Sequence, residues 1–164
     1  MMHNFLKIYY FIDQFNRQEI KNLNKNIALI YRNYKEKYDF KLIKKIKKFC
    51  KKNKRELYIS NNLRLALRLD LNGVYIPAFN KLCNYKNLNS KKNFKIIGSA
   101  HNLPEIKNKE IQGCSSIFIA PLFKTKKSNY FLEVVKFNFL TRGVKKNIVA
   151  LGGINNSNFK KNKL

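Results

Sequence analysis

Seven short apolar runs alternate along the chain with polar or amphipathic segments, and this alternation limits the fold more than any other feature. The runs are Ile8–Asp13, Ile27–Arg32, Leu57–Ile59, Gly73–Ile76, Phe94–Gly98, Ser116–Ala120 and Ile148–Leu151. They are rich in Ile, Val, Phe and Tyr, as β-strands are. Several are apolar throughout, which is typical of parallel strands covered on both faces. The pattern predicts a parallel sheet with right-handed crossovers.

The segments between the runs contain predicted helices. Asp39 can cap a helix whose apolar residues recur at spacings of three and four, namely Leu42, Ile43, Ile46, Phe49 and Cys50. Further helices are predicted over Asn62–Leu69, Leu103–Gln112 and Leu132–Leu140. The helix from Leu103 follows Asn102 and has Pro104 in its first turn, where a missing amide proton costs nothing. The polar segment Asn80–Asn93 predicts a short helix or a loop.

About seven strand and helix units favour a TIM (β/α)8-type barrel over an open sheet. A closed barrel of eight strands normally needs roughly 200 residues or more, whereas this chain has 164. We therefore expect a single barrel domain over residues 1–164 that is truncated after the seventh strand. Unpaired strand edges invite association, so a homo-oligomer is also expected.

The chain is very basic, with 35 Lys and Arg against 9 Asp and Glu and a formal net charge of +26. The lysines are spread over almost every segment and accompany abundant Asn, Ile and Phe, which favours A/T-rich codon usage over a selected nucleic-acid patch. We expect nucleic acid to bind only non-specifically. No apolar run approaches the ~20 residues of a membrane span, so we expect no membrane association and a cytoplasmic location.

The three cysteines, Cys50, Cys83 and Cys114, are far apart in the chain and odd in number. They form neither a disulfide framework nor a CxxC metal motif, and we expect buried, reduced thiols. The two histidines, His3 and His101, are too few for a zinc site of the usual type.

Polar and glycine residues follow the predicted strands. In a (β/α) barrel the carboxyl ends of the strands carry the active site. The segments at these ends are Tyr31-Arg32, Ser60-Asn61-Asn62, Asn72-Gly73-Val74-Tyr75-Ile76, Gly98-Ser99-Ala100-His101-Asn102, Ala120-Pro121-Leu122-Phe123-Lys124-Thr125 and Ala150-Leu151-Gly152-Gly153-Ile154-Asn155.

In this order, the segments resemble the thiamine phosphate synthase/TenI family, and the resemblance extends from about Lys7 to Asn158. It implies a role in thiamin biosynthesis. In one branch of the family, Mg²⁺ assists the loss of diphosphate from an aminopyrimidine, and the thiazole phosphate nitrogen attacks the resulting cation. In the other branch, a general base moves a proton to aromatise the thiazole phosphate.

The resemblance also implies roles for individual residues. Diphosphate would be held by Arg32 and by Lys124, Thr125 and Lys126 or Lys127, and the pyrimidine side by Asn61 and Asn62. The loop serine is Ser99 if one residue has been deleted, an alignment that also superposes His101, or Ala100 without a gap. The thiazole phosphate would lie on Gly152 and Gly153, where absent side chains let oxygens approach the backbone.

Several positions depart from the family pattern. The two metal aspartates align with Asn62 and Asn80, so Mg²⁺ binding should be badly weakened. The family has a lysine two positions after the arginine, where this chain has Tyr34, and Lys35 could substitute for it only if the loop shifts by one residue. The family histidine after Gly-Val is replaced by Tyr75.

His101 is the one plausible titratable base among the strand-end segments, and it either acts in catalysis or only caps the following helix.

The first function that the resemblance predicts is binding of thiazole phosphate and aminopyrimidine diphosphate, with synthase activity in doubt. The alternatives are a thiazole tautomerase that uses His101, or a non-catalytic phosphate or RNA binder.

Overall fold

The computed structural model describes residues 7–35, 37–83, 85, 93–125, 129–155 and 157–158. The chain divides into two compact units, of which the first ends at Tyr75 and the second begins at Ile76. All seven predicted strands and all four predicted helices are present, with bounds within about two residues of those expected. A single domain over residues 1–164 stays a prediction.

The first unit contains the parallel strands β1 (Tyr9–Ile12), β2 (Ala28–Tyr31) and β3 (Leu57–Ser60) and all but the last residue of β4 (Gly73–Ile76). Consecutive strands pair, with Tyr9 opposite Ala28, Leu29 opposite Leu57, and Tyr58 opposite Gly73. Every residue of β2 and β3 is buried, which explains why these runs are apolar throughout. Their parallel direction places the carboxyl ends of the four strands at one edge of this part of the sheet.

Three helices connect these strands: α1 (Arg17–Asn22), α2 (Phe40–Lys52) and α3 (Leu63–Arg68). The predicted cap of α2 is confirmed, since the Asp39 carboxylate accepts a hydrogen bond from the Lys41 amide at 2.7 Å. Ile43, Ile46 and Cys50 are fully buried, whereas most of the lysines between them are exposed. The lysine run of α2 is therefore the solvent-facing side of an amphipathic helix.

Helix α1 was not among the predicted helices, because its six residues contain a single buried side chain, Ile20, and so show no apolar period. The buried Arg55 stabilises this helix through hydrogen bonds instead. The Arg55 Nη atoms donate to the carbonyl oxygens of Ile20 and Leu23, at 3.1 and 2.6 Å, and of Asn24 and Ile27, at 2.6 and 3.1 Å. This cation satisfies carbonyls at the carboxyl end of the helix, where the helix dipole also favours positive charge.

The second unit contains three parallel strands, β5 (Lys95–Ala100), β6 (Ser116–Ile119) and β7 (Asn147–Ala150), and two helices, α4 (Leu103–Ile111) and α5 (Glu133–Thr141). β5 pairs with β6 and β6 with β7, so their carboxyl ends also share one edge. The Asn102 side chain accepts from the Glu105 amide at 3.0 Å, and Pro104 lies in the first turn of α4, as predicted.

Two expectations from the sequence need comment. Cys50 and Cys114 are buried free thiols, but Cys83 is exposed, so its expected burial is wrong; it lies in a loop on the surface, where the neighbouring Leu82 is exposed as well. The described part of segment Asn80–Asn93 contains neither helix nor strand.

Within the described ranges, no helix has the length and apolar character needed to cross a membrane.

Candidate functional site

Arg32 lies just after β2, and two aromatic rings lie close to its guanidinium. The centre of the guanidinium is 4.5 Å from the ring centroid of Phe11 and 5.9 Å from that of Tyr34. Both distances are within the range of cation–π contacts. Among the described residues, none accepts a hydrogen bond from the Arg32 side chain or forms an ion pair with it.

Ser60, the last residue of β3, joins two tyrosines that follow β2. Its hydroxyl is 3.0 Å from the Tyr34 hydroxyl, and the Tyr38 hydroxyl donates to its carbonyl oxygen. Burial raises the pKa of Tyr38 to about 12, so this phenol stays protonated and remains a donor at neutral pH. These bonds fix the loop that carries Tyr34 against the end of β3.

Asn61 and Asn62 follow Ser60 at the end of β3. Asn61 has a left-handed backbone, with φ of 56°, and its amide donates to the carbonyl of Tyr75 at 2.8 Å. The Asn62 side-chain oxygen accepts from the Leu65 amide at 3.0 Å and so caps α3. Asn62 therefore has a local structural role in addition to the one that the resemblance implies.

Asn80, in the second unit, is also engaged by neighbouring groups. Its side-chain nitrogen donates to the Tyr85 hydroxyl at 3.1 Å, and its side-chain oxygen accepts from the Leu82 amide at 2.9 Å. Both Asn62 and Asn80 are neutral, and their side-chain oxygens already accept backbone hydrogen bonds. In the part of the chain that the structure describes, no three His, Cys, Asp or Glu side chains are grouped so as to hold a metal ion. These residues do not fit Mg²⁺, which prefers carboxylate oxygens.

Gly152 and Gly153 form a left-handed turn after β7, with φ of 92° and 70°. A Cβ atom on Gly153 would lie 2.5 Å from the carbonyl oxygen of Lys124 and 2.6 Å from that of Phe123, and one on Gly152 would lie 2.9 Å from Pro121. Glycine is therefore required at both positions, because each has a positive φ angle and because a Cβ atom at either would overlap neighbouring atoms. The carbonyl of Gly152 also accepts from the Phe123 amide at 3.0 Å.

The amides of this turn have no internal acceptors among the described residues. Gly152, Gly153 and Ile154 donate to no carbonyl or side chain in the ranges that the structure describes. The Asn158 side chain instead holds the Gly153 carbonyl at 2.8 Å, which fixes the peptide orientation. Successive amides in a left-handed turn form a concave group of donors suited to an anion.

His101 follows β5, and both its backbone and its ring are held in place. Its amide donates to the Glu105 carboxylate at 2.7 Å, and its Nδ1 lies 2.6 Å from the carbonyl oxygen of Ala120. A carbonyl oxygen can only accept, so Nδ1 carries the proton. In the neutral ring, Nε2 is then an unprotonated acceptor, and the exposed His101 side chain has the arrangement of a general base.

The remaining predicted residues are spread over the same segments. Ser99 is buried in β5, Lys124 is exposed, and Thr125 is half-buried. Lys126 and Lys127 lie outside the described residues. In the first unit, Arg32 and Ser60 both contact Tyr34. In the second unit, Gly153 packs against the backbone of Lys124, and Gly152 packs against Pro121.

Lys109 is an important residue that the sequence interpretation missed. It is fully buried in α4, and its Nζ donates to the carbonyls of Pro77 and Asn80, at 3.0 and 2.8 Å, and to the Gln112 side chain at 2.8 Å. Desolvation by burial lowers its pKa. The absence of a side chain on Gly98 leaves room for its stem, since a Cβ there would lie 2.9 Å from Lys109 Cδ. Nothing in the charge pattern separates this lysine from its exposed neighbours.

Comparison with known proteins identifies the relatives of this chain. Its sequence matches the thiamine monophosphate synthase family over residues 18–163. It is 32% identical over 152 residues to a thiamine-phosphate synthase of Prochlorococcus marinus, covering 85% of this chain and 42% of that protein. A relative from Aquifex aeolicus is 31% identical over 109 residues, which are 64% of this chain and 58% of that protein. The chain thus spans about half the length of the curated relatives it matches.

A solved structure has the same fold. The thiamine phosphate pyrophosphorylase of Pyrococcus furiosus superposes with a TM-score of 0.61 over 80% of this chain and 64% of that one, at 19% sequence identity. This similarity confirms the predicted α/β fold of TIM-barrel type. From the match over residues 18–163, together with the relative that is 32% identical, we conclude that this chain belongs to the thiamine monophosphate synthase family.

Proposed function

We propose that this protein binds phosphate-bearing precursors of thiamin at the carboxyl ends of its strands. The observation that carries the proposal is the turn at Gly152 and Gly153, whose left-handed backbone presents consecutive amides without acceptors among the described residues. Thiazole phosphate is the precursor we assign to this turn. Its phosphate would accept from fixed backbone donors, where the geometry selects a small anion.

The first unit would take the second precursor, an aminopyrimidine phosphate. Arg32 offers N–H groups that no described residue occupies, and Asn61 and Asn62 lie at the end of the adjacent strand. Chemistry that requires Mg²⁺ is not part of the proposal, because Asn62 and Asn80 provide neutral, already bonded oxygens. The synthase reaction is therefore expected to be slow or absent.

Thiazole tautomerisation is a second candidate activity, favoured by the arrangement of His101. With Nδ1 bound to the Ala120 carbonyl, Nε2 can take a proton from one carbon of a ring and return it to another site. The Glu105 bond to the His101 amide holds the loop during such a transfer. A non-catalytic relative that only binds phosphates or RNA is the remaining alternative.

The proposal is tested by titrating the protein with thiazole phosphate and with the corresponding thiazole alcohol in a calorimeter. We expect saturable binding of the phosphate and none of the alcohol. Turnover is followed in parallel by chromatography, with one assay for condensation and one for tautomerisation. Equal binding of the phosphate and the alcohol, or binding of neither, would contradict the proposal. Binding without turnover in either assay would favour the non-catalytic alternative.

The cytoplasmic location, the homo-oligomeric state and the weak, non-specific affinity for nucleic acid stay predictions. A net charge of +26 attracts polyanions of many kinds through a long-range field. That attraction should weaken steeply with added salt, because counterions compete for the same charges.

A further inference from the structure

A cavity of about 340 Å³ lies in the first unit, at the amino ends of β3 and β4. Because the strands are parallel, this is the edge of the sheet opposite to the strand ends that carry Arg32 and Asn61. The volume is within the ~300–1,000 Å³ that is usual for ligand pockets. We call it the amino-edge cavity, and its charged lining residues are Lys47, Lys51, Lys54, Arg55, Glu56 and Asp70.

The described lining of the amino-edge cavity has more positive than negative charge. Of its two carboxylates, Glu56 forms an ion pair with Lys7 and accepts from the Tyr58 hydroxyl at 2.6 Å. The other, Asp70, lies 3.9 Å from the ammonium group of Lys47. Each carboxylate is thus balanced by a lysine, and the other three cations of the lining supply the excess of positive charge.

Arg55 is the lining residue that an anion would stabilise most. Only 7% of it is exposed, and its Nη atoms donate to backbone carbonyls, which carry no formal charge. Its Nε atom is also buried and has no acceptor among the residues that the structure describes. A buried cation and a buried N–H group without an acceptor both cost free energy. An anion in the cavity would offset the first cost and would accept from Nε.

The chain turns sharply on both sides of the cavity, and these turns fix its lining. Lys54 has a left-handed backbone, with φ of 52°, and the Arg55 amide donates back to the Cys50 carbonyl at 2.9 Å. On the other side, Asp70 has a φ of 45°, and the Leu71 amide donates back into α3 at 2.9 Å. The first turn also satisfies a carbonyl at the end of α2, whose negative partial charge would otherwise oppose an anion.

The lysines near the end of α2 form two groups. Lys47, Lys51 and Lys54 recur at spacings of four and three residues, so they follow one side of the helix and of the turn after it, and all three line the cavity. Lys48 and Lys52 are exposed on a neighbouring side and do not line it. A lysine ammonium pairs with a phosphate as a point charge, so two lysines on one side of the helix can contact the same phosphate group.

We propose that the amino-edge cavity binds a small phosphate ester, whose phosphate is held by Lys51, Lys54 and the Nε–H group of Arg55. The cavity is roughly ten times the ~30 Å³ that a water molecule occupies in the liquid, so it has space for more than the phosphate group. This space favours an ester over free phosphate. The inference does not rest on the proposed function, because none of these three residues belongs to the strand ends assigned there.

Glycerol 3-phosphate, inorganic phosphate and glycerol are the probes, each titrated in moderate salt to screen the diffuse surface charge. Nuclear magnetic resonance of the arginine Nε–H groups locates the binding, with the exposed Arg142 of the second unit as the reference. We expect glycerol 3-phosphate to shift the Arg55 signal in a saturable way and glycerol to leave it unchanged. Weaker binding of inorganic phosphate would support the ester, whereas equal binding would support the site with free phosphate as its ligand.

Two double variants remove the same charge from different sides of α2. Lys51→Gln with Lys54→Gln should weaken glycerol 3-phosphate binding about tenfold, because charge-assisted contacts to the phosphate are lost. Lys48→Gln with Lys52→Gln should leave the affinity within about twofold of the parent value, because only the diffuse field changes. All four lysines are exposed, so we expect both variants to fold, and urea unfolding checks this.

Gly153→Val separates this inference from the proposed function. It should leave the Arg55 shift and the affinity measured from it unchanged, even where thiazole phosphate binding is lost. Equal losses in the two double variants, or a titration without any change at Arg55, would overturn the inference whatever thiazole phosphate does. Loss of the Arg55 shift in folded Gly153→Val would overturn it as well, because the phosphate would then bind at the glycine turn.

Discussion

The imidazole Nδ1 of His101 lies 2.6 Å from the carbonyl oxygen of Ala120, across the ends of β5 and β6. The bond links the two adjacent strand ends and assigns the ring proton to Nδ1, because the carbonyl cannot donate. We predict that the neutral form of His101 is the Nδ1–H tautomer. A nitrogen-15 correlation spectrum of the imidazole should show a protonated Nδ1 and an acceptor-type Nε2. A ring protonated at Nε2 in its neutral form would contradict the general-base assignment.

Replacing Lys109 should destabilise the fold far more than replacing a neighbouring lysine. Lys109→Met leaves the carbonyls of Pro77 and Asn80 without their donor, and we expect a loss of about 3 kcal/mol in the free energy of unfolding. Lys107, on the same helix, forms an exposed ion pair with Glu110 at 3.0 Å. Lys107→Met should cost no more than about 0.5 kcal/mol.

Urea unfolding of both variants measures these losses. Hydrogen exchange of residues 77–83 provides a second readout, because Lys109 and Gln112 hold this segment through its carbonyls. Exchange there should accelerate in Lys109→Met and stay unchanged in Lys107→Met. Similar losses of stability in the two variants would show that the buried hydrogen bonds of Lys109 contribute little.

The strands and most helices could be predicted from the sequence, since burial on both faces leaves continuous apolar runs such as Leu57–Ile59. Helix α1 could not be, because its stability comes from Arg55, which is far away in the chain. The same limit applies to the site. The sequence pattern identified Arg32 and Gly153 as residues at the ends of strands. It could not identify Phe11 as a contact of Arg32, because the two residues are about twenty positions apart in the chain and meet only when β1 and β2 pair.

Stability should fall as the pH rises above 9. Burial raises the pKa of both Cys50 and Cys114 from 9.0 to about 12. The folded state keeps these thiols protonated while the unfolded chain loses its protons above pH 9, so the stabilisation is complete below that pH and is lost toward pH 12. Lys109 has the opposite effect on stability. Because its pKa is lowered from 10.5, its contribution to the free energy of unfolding rises with pH just below 10.5.

Urea midpoints measured from pH 7 to 10.5 check this prediction. We expect a steady midpoint to about pH 9 and a decline above it. The double variant Cys50→Ala/Cys114→Ala should have a lower urea midpoint at neutral pH, because packing is lost. Its midpoint should decline less between pH 9 and 10 than that of the parent. An identical slope in the parent and the variant would show that the thiols are not the cause.

Restoring carboxylates should restore some affinity for Mg²⁺. Asn62→Asp preserves the cap of α3, because aspartate accepts from the Leu65 amide as asparagine does. Asn80→Asp can still accept from the Leu82 amide, and the Tyr85 hydroxyl can donate to it. We expect calorimetry to show negligible Mg²⁺ binding by the parent and a measurable gain when both changes are combined. No gain in a folded double variant would mean that the two positions were wrongly aligned with metal ligands.

The central claim, that the strand ends hold a thiamin-precursor phosphate, is tested most directly by titrating thiazole phosphate against Gly153→Val and Gly143→Val. Both glycines have positive φ, but a Cβ at Gly143 meets nothing within 4 Å, whereas one at Gly153 meets the backbone of Phe123 and Lys124. We predict that Gly153→Val abolishes thiazole phosphate binding and that Gly143→Val preserves it, while retention of RNA is nearly unchanged in both. Equal affinity of the parent and Gly153→Val for thiazole phosphate, with RNA and thiazole phosphate weakening alike as salt is added, would contradict the account.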